Sequence, residues 1–288
     1  MNSYNYSPRR FQLLPPVIKN ILIINGILFL AKYVFELRFG ISLDKYLGLH
    51  YFSASDFMPY QFISYLFMHG DLRHIFFNMF AVWMFGSALE NYWGAKKFLI
   101  FYILTGLGAA LAQYLVIYIE ITPFLNEIES VLNQMNVENF EMFVNSDSFR
   151  SKLYSWDLSD DFNSFVPLYN AKSSSNTGEA MLLATNYLNN FKESYLNSHV
   201  IIGASGSLFG LLAAYGMLFP NTLIYIYFFI PMKAKYFVIL YGIIELISGF
   251  SNNPNDNVAH FAHLGGMVIG IIIILFWRRK KSWNQFEE

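Results

Sequence analysis

The chain has 288 residues, of which 55% are hydrophobic and 14% charged, where a soluble domain of this length carries about 25% charged residues. Charge this scarce, with a net charge of −1 and a positive mean hydropathy, points to the lipid bilayer and offers nucleic acid nothing to bind. The absence of cysteine excludes a thiol nucleophile, disulfides and cysteine-based metal sites.

A helix that crosses a membrane takes about 20 mostly apolar residues. Residues 1–16 carry Arg9, Arg10 and prolines, with no apolar core and small-residue cleavage site, so no removable signal peptide is read there. The first span is expected at 21–37, with Lys32 as a polar intruder, the second at 72–92 and the third at 98–119. Residues 121–199 do not belong in lipid. Ten acids against Arg150, Lys152, Lys172 and Lys192 leave that segment at −6. The spacing of Phe124, Leu125, Ile128, Val131, Leu132 and Met135 predicts one amphipathic helix there. That of Ala180, Ala184, Tyr187, Phe191 and Tyr195 predicts a second, with a looser middle around 173–176. The two helices are expected to lie on the membrane surface or on each other. A fourth span is expected at 201–219. A fifth lies within 223–250, broken near Pro231, and the sixth at 258–277.

Six spans put both termini on one side. Arg9, Arg10, Lys19, Lys96, Lys97, Lys233, Lys235 and the basic run 278–281 share a face if that side is the cytoplasm. The expected fold is an all-α polytopic membrane protein of six transmembrane helices, with an external insertion between the third and fourth. Its parts are a cytoplasmic tail (1–16), spans one to three (17–120), the insertion (121–199), spans four to six (200–277) and a basic cytoplasmic tail (278–288). The location expected is a bacterial inner membrane.

Polar groups inside spans are costly and are functional candidates by default. Gly203-Ala204-Ser205-Gly206 opens the fourth span. A serine among glycines at a helix start suits a nucleophile, because glycine lets a substrate backbone approach and the helix end offers free N–H groups. Such tetrads more often serve packing alone. Ala262-His263-Leu264-Gly265-Gly266 leads to Gly270 in the sixth span. Ala262, Gly266 and Gly270 form a small-residue stripe that matches Gly206, Gly210 and Ala214. Two such stripes let backbones come close, which would bring His263 to Ser205. His260, one turn earlier, competes for that role, and the glycine spacing favours His263. A hydrogen-bonded interior histidine is the plain alternative for either. His74 and Asn78, four apart on the second span after His69, are a donor pair fit for an oxyanion, or for interhelical hydrogen bonding.

Together these motifs resemble the rhomboid family of intramembrane serine proteases. The resemblance rests on Gly-Ala-Ser-Gly at 203–206, Ala-His-x-Gly-Gly-x-x-x-Gly at 262–270, and the His69, His74 and Asn78 series. Gly86-x-x-x-Glu90-x-x-x-Gly94 is the fourth piece, and the order on spans two, four and six also matches. The similarity covers roughly 17–120 and 200–277 and implies a rhomboid-like six-helix bundle. It implies Ser205 as nucleophile, His263 as general base, and an oxyanion hole of the Ser205 N–H with the His74 and Asn78 side chains. Gly203, Gly206, Gly266 and Gly270 would support the site, Phe209 would wall the His263 ring, and Glu90 would be structural. No buried acid is read near His263, which fits a dyad, and no cofactor or metal is implied. The polar run 251–257 could roof a wet cavity. Substrates would be membrane proteins with a transmembrane segment that unwinds readily. A catalytically silent binder of transmembrane helices is the alternative, with a transporter behind it. Where the family often has Trp-Arg before the first motif histidine, Tyr60-Gln61 stands here, which leaves open how that loop is anchored.

Overall fold

The computed structural model describes residues 11–226, 229–251 and 258–283, and the chain is mostly helical. In order come α1 (Pro16–Phe39), α2 (Leu43–Leu47), β1 (Leu49–His50), α3 (Gln61–Ser64), a 3₁₀ turn (Tyr65–Phe67), α4 (Leu72–Trp93) and α5 (Ala95–Asn133). Then follow α6 (Val137–Val144), α7 (Asp147–Ser155), α8 (Ser159–Ser173), α9 (Thr177–Ser198), β2 (Val200–Ile201) and α10 (Ser205–Leu218). The chain continues through β3 (Leu223–Ile226), β4 (Ile230–Lys233), α11 (Ala234–Phe250) and α12 (His260–Trp283). Four of these are long and apolar enough to cross a membrane: α1, α4, α5 and the Arg279-terminated part of α12. The shorter apolar helix α10 has 14 residues, and α11 has 17.

The chain divides into two compact units. The first takes in the described residues of Met1–Gly48, Phe62–Gln113 and Ile202–Glu288. Its helix ends are sequence-coded. Pro16 sits where a missing N–H costs nothing, and the Glu90 carboxylate accepts from the Val17 and Ile18 N–H groups, both at 2.9 Å. This is the structural task the resemblance implied for Glu90. Asp71 caps α4 by accepting from the His74 N–H at 2.9 Å. Lys32 is no defect in its span: its ammonium donates to the His69 and Gly70 carbonyls, both at 3.1 Å, and pairs with Asp44 at 2.5 Å.

Among the described residues, α10 packs extensively against α12. A methyl group on Gly266 would lie 2.0 Å from the Gly206 carbonyl oxygen, and one on Gly270 would lie 3.0 Å from that of Gly210. The two stripes read from the sequence therefore face each other with backbone against backbone. A third helix joins from the other side: a methyl on Gly206 would meet Ala109 at 2.4 Å, and one on Gly210 would meet Thr105 at 2.6 Å.

The expected fifth span differs. Leu223–Ile226 and Ile230–Lys233 pair as an antiparallel ribbon, with Leu223 opposite Lys233 and Tyr225 opposite Pro231. Leu, Ile, Tyr and Phe in this stretch favour strand as much as helix, and Pro231 cannot continue a helix backward. Only α11 remains helical.

The second unit holds Leu49–Gln61 and Tyr114–Ile201. Its β1 and β2 pair antiparallel, Leu49 with Ile201 and His50 with Val200, and the Tyr114 hydroxyl donates to the His50 carbonyl. Gln61 settles the question raised by Tyr60-Gln61. Its buried side chain accepts from the His50 N–H at 3.3 Å and the Met58 N–H at 3.1 Å, and donates to the Asp56 carbonyl at 2.9 Å. One neutral amide thus ties three backbone groups, at His50 and in the stretch from Asp56 to Met58. Two helices were expected between 121 and 199. The structure instead extends α5 to Asn133 and adds α6, α7, α8 and α9. Both expected apolar faces exist, since Phe124, Ile128, Ala180, Ala184, Tyr187, Phe191 and Tyr195 are buried, and the chain does leave the helix at 174–176. The missed helices carry their own signals: Asn136 and Ser146 cap α6 and α7 through the Asn139 and Phe149 N–H groups.

Candidate active site

Ser205 is the first residue of α10, with Ala204 before it making no side-chain cap. The N–H groups of the first turn therefore have no side-chain cap from the residue before the helix. Gly203 precedes it at φ +124°, a conformation that a side chain would strain, and donates its N–H to the Tyr65 carbonyl at 2.9 Å. A methyl group there would fall 3.0 Å from His74 Nε2 and 3.6 Å from Ser205 Oγ. Glycine at 203 is what leaves the His74 imidazole and the Ser205 hydroxyl facing a common space.

His263 lies in the first turn of α12, with Nε2 at 2.8 Å from Ser205 Oγ. Its ring stacks on Phe209, the residue expected to wall it, with centroids 4.3 Å apart and planes 8° from parallel. The Gly206–Gly266 contact explains the approach, because Gly206 follows Ser205 directly and Gly266 lies one turn after His263, so their contact sets how near the two side chains come. His260 is on the same helix, its ring centroid 6.3 Å from that of His263.

One reading from the sequence is corrected here. No acid was expected near His263, yet Glu245 of α11 places Oε2 at 2.8 Å from His263 Nδ1 and 2.7 Å from His260 Nδ1. Glu245 is buried, as is His263. The signal was available: a carboxylate inside an apolar helix is a functional candidate by the same rule that singled out the histidines. With a carboxylate accepting at Nδ1, the neutral His263 ring carries its proton there and turns a lone pair toward the serine.

Asn78 is buried on α4, and its Nδ2 lies 3.1 Å from His69 Nε2. Burial, and then the neighbouring His74, push His69 down to about 3, so its ring is neutral at pH 7 and free to accept that amide proton. One amide hydrogen of Asn78 is spent in this way and the other remains. The rings of His69 and His74 meet edge to face at 4.9 Å. All the predicted site residues lie in the first unit: Ser205, His263, His74, Asn78, Phe209 and the four glycines. The expected roof at 251–257 falls outside the described residues, apart from Ser251.

The family model described as the Rhomboid domain matches residues 56–120 and 167–280, more than half of the chain. Two curated relatives align over shorter stretches. "Rhomboid-like protein 11, chloroplastic", of Arabidopsis thaliana, is 34% identical over 97 residues, 34% of this chain and 32% of the relative. An "uncharacterized rhomboid protein", mitochondrial, of Schizosaccharomyces pombe is 32% identical over 89 residues, 29% of this chain and 23% of the relative. The chain thus spans about a third or less of the length of these relatives.

Proposed function

Since the chain belongs to the rhomboid family, we propose that it is an intramembrane serine endopeptidase that cleaves other membrane proteins through an acyl-enzyme. The observation that carries this reading is the unbroken line Glu245–His263–Ser205, with both hydrogen bonds at 2.8 Å. In the reaction, Ser205 Oγ attacks the scissile carbonyl while His263 Nε2 takes its proton. Glu245 holds the imidazole in the basic tautomer and stabilises the imidazolium that forms. The developing oxyanion is met by the first N–H groups of α10, His74 and the remaining Asn78 N–H. His263 then returns its proton to the leaving amine and activates water against the acyl-enzyme.

The topology proposed is the six-span one, with α10 and α11 as the fourth and fifth spans and residues 121–199 as an external insertion. At about 1.5 Å per residue, α10 is some 21 Å long, short of the roughly 30 Å hydrocarbon core. A short span recesses Ser205 below the membrane surface, where polar groups can hold water. The membrane helices make this an integral membrane protein. The relatives are named for a chloroplast and a mitochondrion and lend no support to a bacterial inner membrane. A helix hides its carbonyls in its own hydrogen bonds, so substrates should be segments that unwind easily.

A fluorophosphonate serine probe tests the reading. It should label the purified protein at Ser205 alone, with no labelling of Ser205→Ala. An unlabelled protein would favour the silent, helix-binding alternative.

A further inference from the structure

His260 is not needed by the reaction, yet its Nδ1 lies 2.7 Å from the same Glu245 oxygen that His263 uses. The three potential ligand atoms, two imidazole nitrogens and a carboxylate oxygen, lie within 4.8 Å of one another. Their side chains are only 10–13% exposed. The histidines are three apart on α12 and so share a face, while the acid comes from a different helix. Two imidazoles and one carboxylate are a donor set for Zn²⁺ and similar late first-row ions, not for Mg²⁺ or Ca²⁺.

From this cluster we infer a zinc-binding inhibitory site formed by Glu245, His260 and His263. The inference about inhibition rests on the protease reading; the binding site does not. A metal ion at His263 Nδ1 takes the lone pair there, so the ring proton must move to Nε2. That nitrogen then donates toward Ser205 Oγ and cannot accept its proton. The ion also claims the Glu245 carboxylate, which no longer orients the base. Inhibition requires no contact between the metal and Ser205, and removing the ion restores the original tautomer with no net change in protons on either ring. His260 is what separates this arrangement from a simple Ser-His-Glu line, because it adds the third ligand.

The test measures Zn²⁺ binding to the full chain in detergent by calorimetry, with the Ser205→Ala protein so that self-cleavage plays no part. One saturable ion per chain is expected. His260→Ala and Glu245→Gln should each weaken binding by more than about 100-fold, beyond the roughly 10–100-fold that loss of a merely supporting group costs. His260→Gln, which keeps a polar side chain at that position, should weaken it likewise, and thermal melts in the absence of metal identify any variant that fails to fold. Cobalt substitution should give visible ligand-field absorption that vanishes in His260→Gln. No saturable binding, or binding equally tight in folded His260 variants, would overturn the site. In the active protein, Zn²⁺ should suppress cleavage over the same concentration range as it binds, reversed by a chelator. Cleavage that persists at saturating Zn²⁺ would overturn the inhibitory role, and a protein that binds zinc through His260 without ever cleaving would leave the site standing while the protease reading fell.

Discussion

The two units solve packing in opposite ways. In the first, the helices that carry the proposed site are held by the absence of side chains: Gly206 meets Gly266 at a distance a methyl group could not share, and Gly210 meets Gly270 at one that leaves a methyl group tight. Lipid tails are as apolar as leucine, so burying apolar area gives helices in a bilayer little reason to associate, and close backbone contact takes its place. In the second, large rings fill the interior. Phe149 is fully buried, its ring centroid 4.8 Å from that of Phe191 and 5.2 Å from that of Phe143, while Phe165 stacks on Tyr187 at 4.3 Å. A net charge of −6 over 121–199 suits a surface in water, where such burial does stabilise. The unit built on contact distance holds the proposed site residues, and the unit built on burial contains none of them.

The sharpest way to separate the two is to remove the chemistry without touching either kind of packing. Ser205→Ala and His263→Ala should each lower cleavage of a transmembrane reporter on the order of 10⁴-fold or more, and the double variant should be no worse, because the pair acts as a unit. Melting of both units should stay put. His260→Ala should lose far less. Substantial cutting by Ser205→Ala would show that another group is the nucleophile.

Glu245→Gln comes next. The amide keeps the volume but offers an N–H where His263 needs an acceptor, so kcat should fall by about 10³-fold with KM little changed. Glu245→Asp should recover part of the rate. Equal activity in Glu245→Gln would return the site to a dyad and make Glu245 a structural residue. Asn78→Ala follows, with kcat down roughly 10²–10³-fold, since one donor to the developing charge is lost while His74 and the backbone remain. An unchanged kcat would confine Asn78 to its bond with His69.

Gly266→Ala probes the packing of the first unit directly. The new methyl would sit 2.0 Å from the Gly206 oxygen, so α10 and α12 must part. The overpacking should cost about 1–3 kcal/mol of stability. A displacement of about 1 Å between Ser205 and His263 should lower turnover by about 10²-fold. A protein that melts earlier but cuts normally would show that the seam holds the fold without setting the site.

These expectations also mark what a sequence can carry. The glycine stripes were legible because a four-residue period needs no knowledge of the partner, and they led to Ser205 and His263 together. Phe209 and Glu90 came with the family resemblance; Phe209 lies against the His263 ring and Glu90 accepts from the start of α1. Glu245 was missed because its neighbours in space are 15 and 18 residues away and nothing local marks it except its charge. The pairing of β3 with β4 was missed because an apolar run reads equally as buried strand or helix. Gln61 was seen only as a departure, since a side chain's role in tying loop backbone lies in contacts no spacing reveals. The short helices α6 and α7 were passed over because their caps are ordinary residues in a polar stretch.

The smallest effect on catalysis is expected from the second unit. Phe149→Ala should leave a cavity among Phe143, Phe162 and Phe191 and destabilise that unit by about 3–5 kcal/mol. Acid should loosen the same unit. His199 is buried against Trp156, donates to the Tyr195 carbonyl at 2.7 Å, and is pushed down to about 4 by burial. An unfolded chain would bind a proton there at the ordinary pKa of about 6.5. Stability is therefore present above that value and is lost as pH falls from about 6.5 through about 4. A reporter with neutral flanks should be cut at nearly the normal rate by Phe149→Ala, because no group proposed for the reaction lies in this unit. A panel of reporters with basic or acidic flanks should respond differently if the acidic surface helps choose partners, and the preference for basic flanks should weaken as the unit melts. Following the melt by the near-ultraviolet signal of its rings and cleavage in the same samples decides the matter. If cutting of every reporter disappears along with that melt while the first unit stays folded, the site depends on the aromatic unit after all, and contact-distance packing alone is not enough to hold it.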